Sequence, residues 1–133
     1  MSSTKLAPLE PKIYRLIDAN LNRLKEGIRV IEDILRYVFD NKELALRLKN
    51  LRHEAQFDDP KLLEYRDIKK DVLKQSITSE MQRENLQAII KANIKRAQEA
   101  ARVLEEVMKI VEPPFSETFK KIRYELYDIE KYL

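Results

Sequence analysis

"DANLNRLKEGIRVIEDI", Asp18 to Ile34, is the stretch whose reading decides the fold. Its apolar residues recur in steps of three and four, the period of an amphipathic helix in a bundle. Extended in both directions, the stripe runs Ile13, Ile17, Leu21, Leu24, Ile28, Ile31, Leu35 and Val38. It predicts a helix over about 12–39. Leu16, Val30 and Ile34 widen the inward arc to one side, and within that extension lie Asn20, Arg23 and Gly27. At about 100° per residue these three stack over two turns as a polar notch with apolar residues above and below it. Asn is a poor helix former, and burying its amide costs energy unless it is hydrogen-bonded. Gly27, the single glycine of the chain, would let a ligand or another helix come close to the backbone.

The text nearly recurs as "KANIKRAQEAARVLEEV", Lys91 to Val107. Aligning Asp18–Arg36 with Lys91–Lys109 gives seven identities in 19 positions: Ala19/Ala92, Asn20/Asn93, Arg23/Arg96, Glu26/Glu99, Arg29/Arg102, Val30/Val103 and Glu32/Glu105. Gly27 faces Ala100, so the position stays small. The helices that follow also correspond, "KNLRHE" (Lys49–Glu54) with "KKIRYE" (Lys120–Glu125). Amphipathic Lys/Glu-rich helices resemble one another, which accounts for apolar and glutamate matches. It does not account for a matched Asn and Arg on the inner arc. The chain therefore reads as all-α: two copies of a long-helix/short-helix hairpin, forming a pseudo-two-fold four-helix bundle with an irregular middle connection.

The boundaries follow from local signals. Residues 1–11, with Pro8 and Pro11, read as a flexible lead-in to a single helical domain over 12–133. The first copy spans about 12–57, the connection about 58–80 and the second copy about 81–133. Asp40 and Glu43 have capping-box spacing, which starts a second helix near Asn41 with Leu44, Leu48, Leu51 and Ala55 inward. The connection holds one short helix at most. Ser79 and Gln82 offer another capping box, opening a long helix that ends near Val111 before Pro113 and Pro114. The last helix carries Phe115, Phe119, Ile122, Leu126, Ile129 and Leu133 at the same period.

Composition narrows the chemistry. Hydrophobic residues make up 44% and charged residues 37% of 133 residues, as in a soluble single domain. One glycine leaves no room for a Walker loop, a dinucleotide fingerprint or a glycine-rich kinase cover. The absence of cysteine removes disulfides, zinc–thiolate sites and Cys nucleophiles. No apolar run approaches the ~18 residues of a membrane span, and "MSSTKLAPLEPK" lacks a signal-peptide core, so a cytoplasmic location without a membrane partner is expected. The net charge of +3 suits an anionic ligand, but no dense Lys/Arg block points to nucleic acid.

The candidate site residues begin with the notch. Arg23 offers a guanidinium fork for phosphate or carboxylate, and Asn93, Arg96 and Ala100 repeat the arrangement. The plainer reading is structural: Asn fixes helix register and Arg pairs with a neighbouring Glu. Repetition of the whole combination favours an anion-binding pocket. In "RDIKKDV", Arg66 adjoins Asp67 and Asp71. If that stretch is helical, the two carboxylates share a face and could hold Mg²⁺, with waters and phosphates completing its shell. The plainer alternative is a solvated turn with an Asp cap. Arg52 and His53 sit beside the Leu51 stripe, with Arg123 and Tyr124 as counterparts. His53 reads as a packed or surface histidine, and Glu32 and Glu105 as solvated charges at the edge of the seam.

Together "LIDANLNRLKEGIRVIED", "LRHE", "YRDIKKDV", "ANIKRAQEAARVLEE" and "FKKIRYELYDIE" resemble the small all-helical hydroxymethylpyrimidine phosphate kinase family. That family occurs free-standing or fused before the barrel of thiamine phosphate synthase. The resemblance covers nearly everything from Tyr14 to Tyr132, and with the chain ending at Leu133 it is closer to a free-standing or trimmed form. It implies transfer of the ATP γ-phosphoryl group to 4-amino-5-hydroxymethyl-2-methylpyrimidine phosphate, with Mg²⁺ as cofactor. Arg23, Arg96 and Arg66 would clamp phosphates, with Arg52 and Arg123 as further ligand-binding candidates. Asn20 and Asn93 would orient a substrate over the small Gly27. Asp67 and Asp71 would serve Mg²⁺ or act as base near the substrate hydroxyl. The family commonly has glycine where this chain has Leu73, which puts the loop's contribution in question. The duplication allows one site spanning both copies, two sites, or sites across a homodimer. Two other readings compete: a non-catalytic helical module associated with thiamine phosphate synthase, and a chorismate-mutase-like helical enzyme whose arginines grip a dicarboxylate. The repeat speaks against the last, which does not require one.

Overall fold

The computed structural model describes residues 9–75 and 84–133. Among these residues the structure is all-helical: α1 (Glu10–Tyr37), α2 (Lys42–Glu54), α3 (Pro60–Glu64), α4 (Leu86–Val111) and α5 (Pro113–Glu130). Helix α1 starts at Glu10, within the expected lead-in 1–11, whose residues 1–8 lie outside the described residues. Pro11 lies in the first turn of α1, where a missing N–H costs nothing and the fixed φ suits a helix. The core stripe runs from Ile17 to Leu35, whereas Val38 is 53% exposed, because α1 ends at Tyr37 and the chain turns away.

That turn passes through Asp40 at φ 50, a left-handed conformation that Asp tolerates better than most residues. Asp40 is thus used by the turn, and Asn41 caps α2 instead, its side chain accepting from Leu44 N–H at 3.1 Å. Asn85 caps α4 in the same way, accepting from Ala88 N–H at 2.9 Å. The Ser79/Gln82 box lies outside the described residues. Pro113 and Pro114 end α4 and open α5, with Glu112 as the hinge residue between them.

Side-chain contacts fix the arrangement. Ser116 Oγ donates to the Glu105 carbonyl at 2.9 Å and Gln98 Nε2 to Glu130 at 3.0 Å, so α4 and α5 run antiparallel. Arg47 of α2 reaches Asp128 at 2.9 Å and Glu125 at 3.1 Å, Lys121 approaches Glu54 at 3.8 Å, and Phe57 meets Phe115 edge-on at 5.1 Å. The helices contact one another in the cyclic order α1, α2, α5, α4. Ile17, Leu24, Ile28, Leu48, Ile94, Leu104, Phe119 and Leu126 fill the centre and are fully buried.

α1 and α4 approach closely through small residues. A Cβ built on Gly27 would stand 3.1 Å from the Asn93 carbonyl oxygen and 3.5 Å from Ala97 Cβ. Gly27 therefore serves helix packing, and the expectation that it admits a ligand is corrected: α4 already occupies the space. Glu32 and Glu105 also differ from expectation. They are 2% and 5% exposed. Arg52 Nε donates to Glu32 at 2.7 Å, and Arg123 Nε to Glu105 at 2.9 Å. Each arginine directly follows a buried stripe residue, Leu51 or Ile122, and reaches across to the long helix of its own hairpin. A carboxylate this deeply buried requires such a partner.

Candidate functional site

A cleft of about 760 Å³ opens between the N-terminal half of α1 and the stretch after α3. α1 contributes Lys12, Arg15, Asn20 and Arg23; the connection contributes Arg66, Asp67 and Asp71. α3 sets the position of that connection. It is a single turn capped by Asp59, whose side chain accepts from Lys61 N–H at 3.0 Å, and it anchors through buried Leu62. Lys61 pairs with Glu10 of α1 at 2.6 Å, and Tyr65 packs on Tyr14 at 6.3 Å between ring centroids. Burial, followed by the nearby Asp59 carboxylate, pushes the Tyr14 hydroxyl pKa up.

Beyond α3 two contacts tie the backbone to α1. Arg66 forks onto Asp18 with two bonds of 2.7 Å. Arg15 Nε donates to the Asp67 carbonyl at 3.0 Å. The Asp18 carboxylate raises the Arg66 pKa chiefly through these hydrogen bonds. Residues 66–71 are not helical. The Asp67 side chain accepts from Lys70 N–H at 3.1 Å and that of Asp71 from Leu73 N–H at 2.9 Å, two side-chain-closed turns. The shared helical face expected of the aspartates does not form, yet both line the same cleft. Leu73 is not in a left-handed conformation, so this backbone needs no glycine there.

Asn20 is buried. Its Nδ2 donates to the Leu16 carbonyl at 3.0 Å, and its Oδ1 accepts from Arg23 Nη1 at 3.4 Å. The amide is satisfied within the helix and steers Arg23 over the cleft. Asn93 repeats the first bond, donating to Ile89 at 2.8 Å. Neither Asn93 nor Arg96 lines the cleft, however. Arg23 and Arg96 are both exposed, which corrects the expectation of two interior strips for the arginines, whereas Asn20, Gly27 and Ala100 are buried. Arg52 and Arg123 do not line the cleft: Arg52 forks onto Glu32 at 2.7 and 3.2 Å, Arg123 donates its Nε to Glu105 at 2.9 Å, and both pairings raise the arginine pKa values.

For a divalent cation, no group of three or more carboxylate, His or Cys side chains converges among the described residues. Asp67 and Asp71 each commit one oxygen to a turn, and the second oxygen of Asp67 lies 3.9 Å from Lys70 Nζ. That donor set fits Mg²⁺ in the manner where one or two carboxylates are joined by substrate phosphates and water. Among the described residues, the side chains lining the cleft are mostly charged or amide groups, which supply charge and orientation.

Lys12, Arg15 and Asp18 went unnoticed in the sequence. Asp18 did carry a signal: in the alignment of 18–36 with 91–109 it falls opposite Lys91, a charge reversal beside the matched Ala19/Ala92 and Asn20/Asn93.

Fold and cleft define a class, a small all-helical protein with a cation-bearing, small-molecule-sized cleft on its first hairpin. The chain belongs to the ThiD2 family, whose profile matches residues 15–132. It is similar to the thiamine-phosphate synthase of Nostoc punctiforme, 38% identical over 123 residues that cover 91% of this chain and 35% of that protein. The thiamine-phosphate synthases of Prochlorococcus marinus and Synechocystis sp. are each 39% identical, covering 89% of this chain and 35% of theirs. The chain thus spans about a third of the length of these relatives. No solved structure matches it. No helix among the described residues is long and apolar enough to cross a membrane.

Proposed function

We propose that this chain is an ATP-dependent kinase of thiamine biosynthesis that converts 4-amino-5-hydroxymethyl-2-methylpyrimidine phosphate to the corresponding pyrophosphate. The observation that carries this reading is the convergence of Asn20, Arg23, Arg66, Asp67 and Asp71, from two separate stretches, on one cleft. Phosphoryl transfer asks a protein mainly to position reactants and to stabilise spread negative charge. Lys12, Arg15, Arg23 and Arg66 suit a chain of phosphates, and the Asp18 fork holds Arg66 in place. Asp67 and Asp71 would hold Mg²⁺, which when bound neutralises phosphate oxygens. The expected base near a substrate hydroxyl is dropped on chemical grounds. The acceptor atom is a phosphate oxygen, whose second pKa is ~6, so it is already largely ionised at neutral pH.

The test is turnover of the purified chain with Mg-ATP and the pyrimidine phosphate, followed as ADP and pyrophosphate product. Arg23→Ala should lower kcat/KM by about 10²-fold, the scale of losing a charge-assisted transition-state contact. Arg96→Ala, outside the cleft, should stay within about twofold of the parent. Absence of both products sinks the kinase. A second reading, a docking module for thiamine phosphate synthase, is favoured by the exposed Tyr37, Val38, Phe39 and Leu46 near the α1–α2 turn and by relatives three times as long.

A further inference from the structure

A separate pocket of about 330 Å³ lies between the last turns of α1 and the first turns of α2, at the opposite end of α1 from the cleft. Its lining joins Arg36, Lys42 and Lys49 to Ala45 and Leu46, with Glu32 and Asp40 as the acidic members. The two acids do not count alike. Both Glu32 oxygens accept from Arg52, at 2.7 and 3.2 Å, so that charge is already matched. Asp40 is the one lining carboxylate left to face the three cations. Arg36, Lys42 and Lys49 are exposed, and none of them is in an ion pair among the described residues. Buried Ala45 and Leu46, which is 51% exposed, give the pocket an apolar patch.

The second hairpin serves as an internal comparison. Residues 38–41 join the helices of the first hairpin, whereas Glu112 alone joins those of the second. Ser116, opposite Ala45, is buried and donates to the Glu105 carbonyl at 2.9 Å. Lys109, opposite Arg36, pairs with Glu106 at 3.0 Å. Glu117 and Pro113 stand opposite Leu46 and Lys42. The first hairpin thus departs from its copy in turn length, apolar surface and free cations at one spot. Pairing of the helices requires none of these departures, since the second hairpin pairs without them.

We propose that this pocket is a second ligand site, for a small organic anion: a carboxylate or phosphate carried on a compact apolar body. With Asp40 set against the three cations, the surplus positive charge suits one anionic group rather than a polyphosphate chain. Two of the cations are lysines, rotatable point charges that can close on an anion of either shape. The volume is at the small end of ligand pockets and admits a single ring. Ala45 and Leu46 take that body out of water. The site stands apart from the kinase reading, because none of its residues lines the cleft.

The experiment is a residue-resolved NMR titration of the whole chain with phenyl phosphate and with benzoate, each an anion on a ring. Inorganic phosphate supplies an anion without the body, and benzyl alcohol the body without an anion. One or both ring anions should move the backbone amides of Arg36, Asp40 and Leu46, with a Kd at least tenfold below that of either control. Leu46→Glu, which installs the residue of the second hairpin at an exposed position, and Lys42→Ala should each raise that Kd at least fivefold. Circular dichroism checks that both variants stay folded. The amides of Arg23 and Asp67 report any separate binding in the cleft and should respond alike in parent and variants. The proposal is overturned if both ring anions at about 10 mM leave the amides of the turn unmoved, if inorganic phosphate binds there as tightly, or if either variant binds as the parent does.

Discussion

Gly27 lies at the tightest point between α1 and α4, with a carbonyl oxygen where its Cβ would point. Two effects of substitution oppose each other there. Alanine gains about 1 kcal/mol of helix propensity over glycine. At 3.1 Å from the Asn93 oxygen it also forces the helices apart by a few tenths of an ångström. Gly27→Ala should therefore lie near neutral in urea denaturation, whereas Gly27→Val should lose roughly 2–3 kcal/mol through overpacking. Equal midpoints for the two variants would show that α1 and α4 are not packed this closely. At this scale the sequence disclosed part of the candidate site. Asn20 and Arg23 stood out because a buried amide and a guanidinium are anomalous on a stripe. Asp18 did not, because its partner Arg66 lies 48 residues away, a distance that helical periodicity cannot bridge. Arg52 and Arg123 looked like ligand contacts because the carboxylates that consume them belong to another helix.

Among the elements, the two buried ion pairs set the stakes of single substitutions. Arg123→Met leaves buried Glu105 with only its longer 3.4 Å contact to Arg102 and should cost about 3 kcal/mol in denaturant unfolding; pairing it with Glu105→Leu should recover much of that loss. If the single and double variants are equally unstable, the pair is not what holds α5 to α4. Acid acts on a different contact. Hydrogen bonding from Arg47 holds the Asp128 carboxyl below its usual 3.8, and Gln98 followed by Lys95 does the same for Glu130 below 4.5. Groups whose pKa is lower folded than unfolded stabilise the fold above the unfolded value and lose that contribution as pH falls through the folded one. The melting temperature should thus drop between about pH 5 and pH 3, and Arg47→Ala should flatten that drop. The long helices were legible from their 3.6-residue stripes. Their starts were not, since the choice between Asp40 and Asn41 as cap depends on which one the left-handed turn consumes. The stretch 66–71 was equally closed to sequence reading, because Asp67 and Asp71 fit a helix face or two turns with the same spacing.

At the scale of the whole molecule, the cleft draws its lining from residues 12–71, and among the described residues the second hairpin contributes none of it. The matched helices allowed one site spanning both hairpins, two sites, or sites across a homodimer; the cleft lies on the first hairpin, where the connection folds back over α1. Ligand binding should be read by the whole fold nonetheless, since α1 is packed on α4. Mg-ATP and the pyrimidine phosphate at 100 times their Kd should each add about 2.7 kcal/mol, on the order of 8 °C in melting temperature. Chorismate should add nothing. A flat melting curve with all three would leave the docking module as the surviving function.

The buried glutamate–arginine contacts also bear on how the chain finds its shape. Glu32 and Arg52 are 20 residues apart in the chain, and Glu105 and Arg123 are 18 apart. Closing loops this short costs little chain entropy, and local contacts of this kind go with fast folding. Each hairpin thus carries its own latch and can gather before it meets the other. What remains is the docking of the two hairpins across Gly27 and Ala97, which backs α1, the floor of the cleft, with α4.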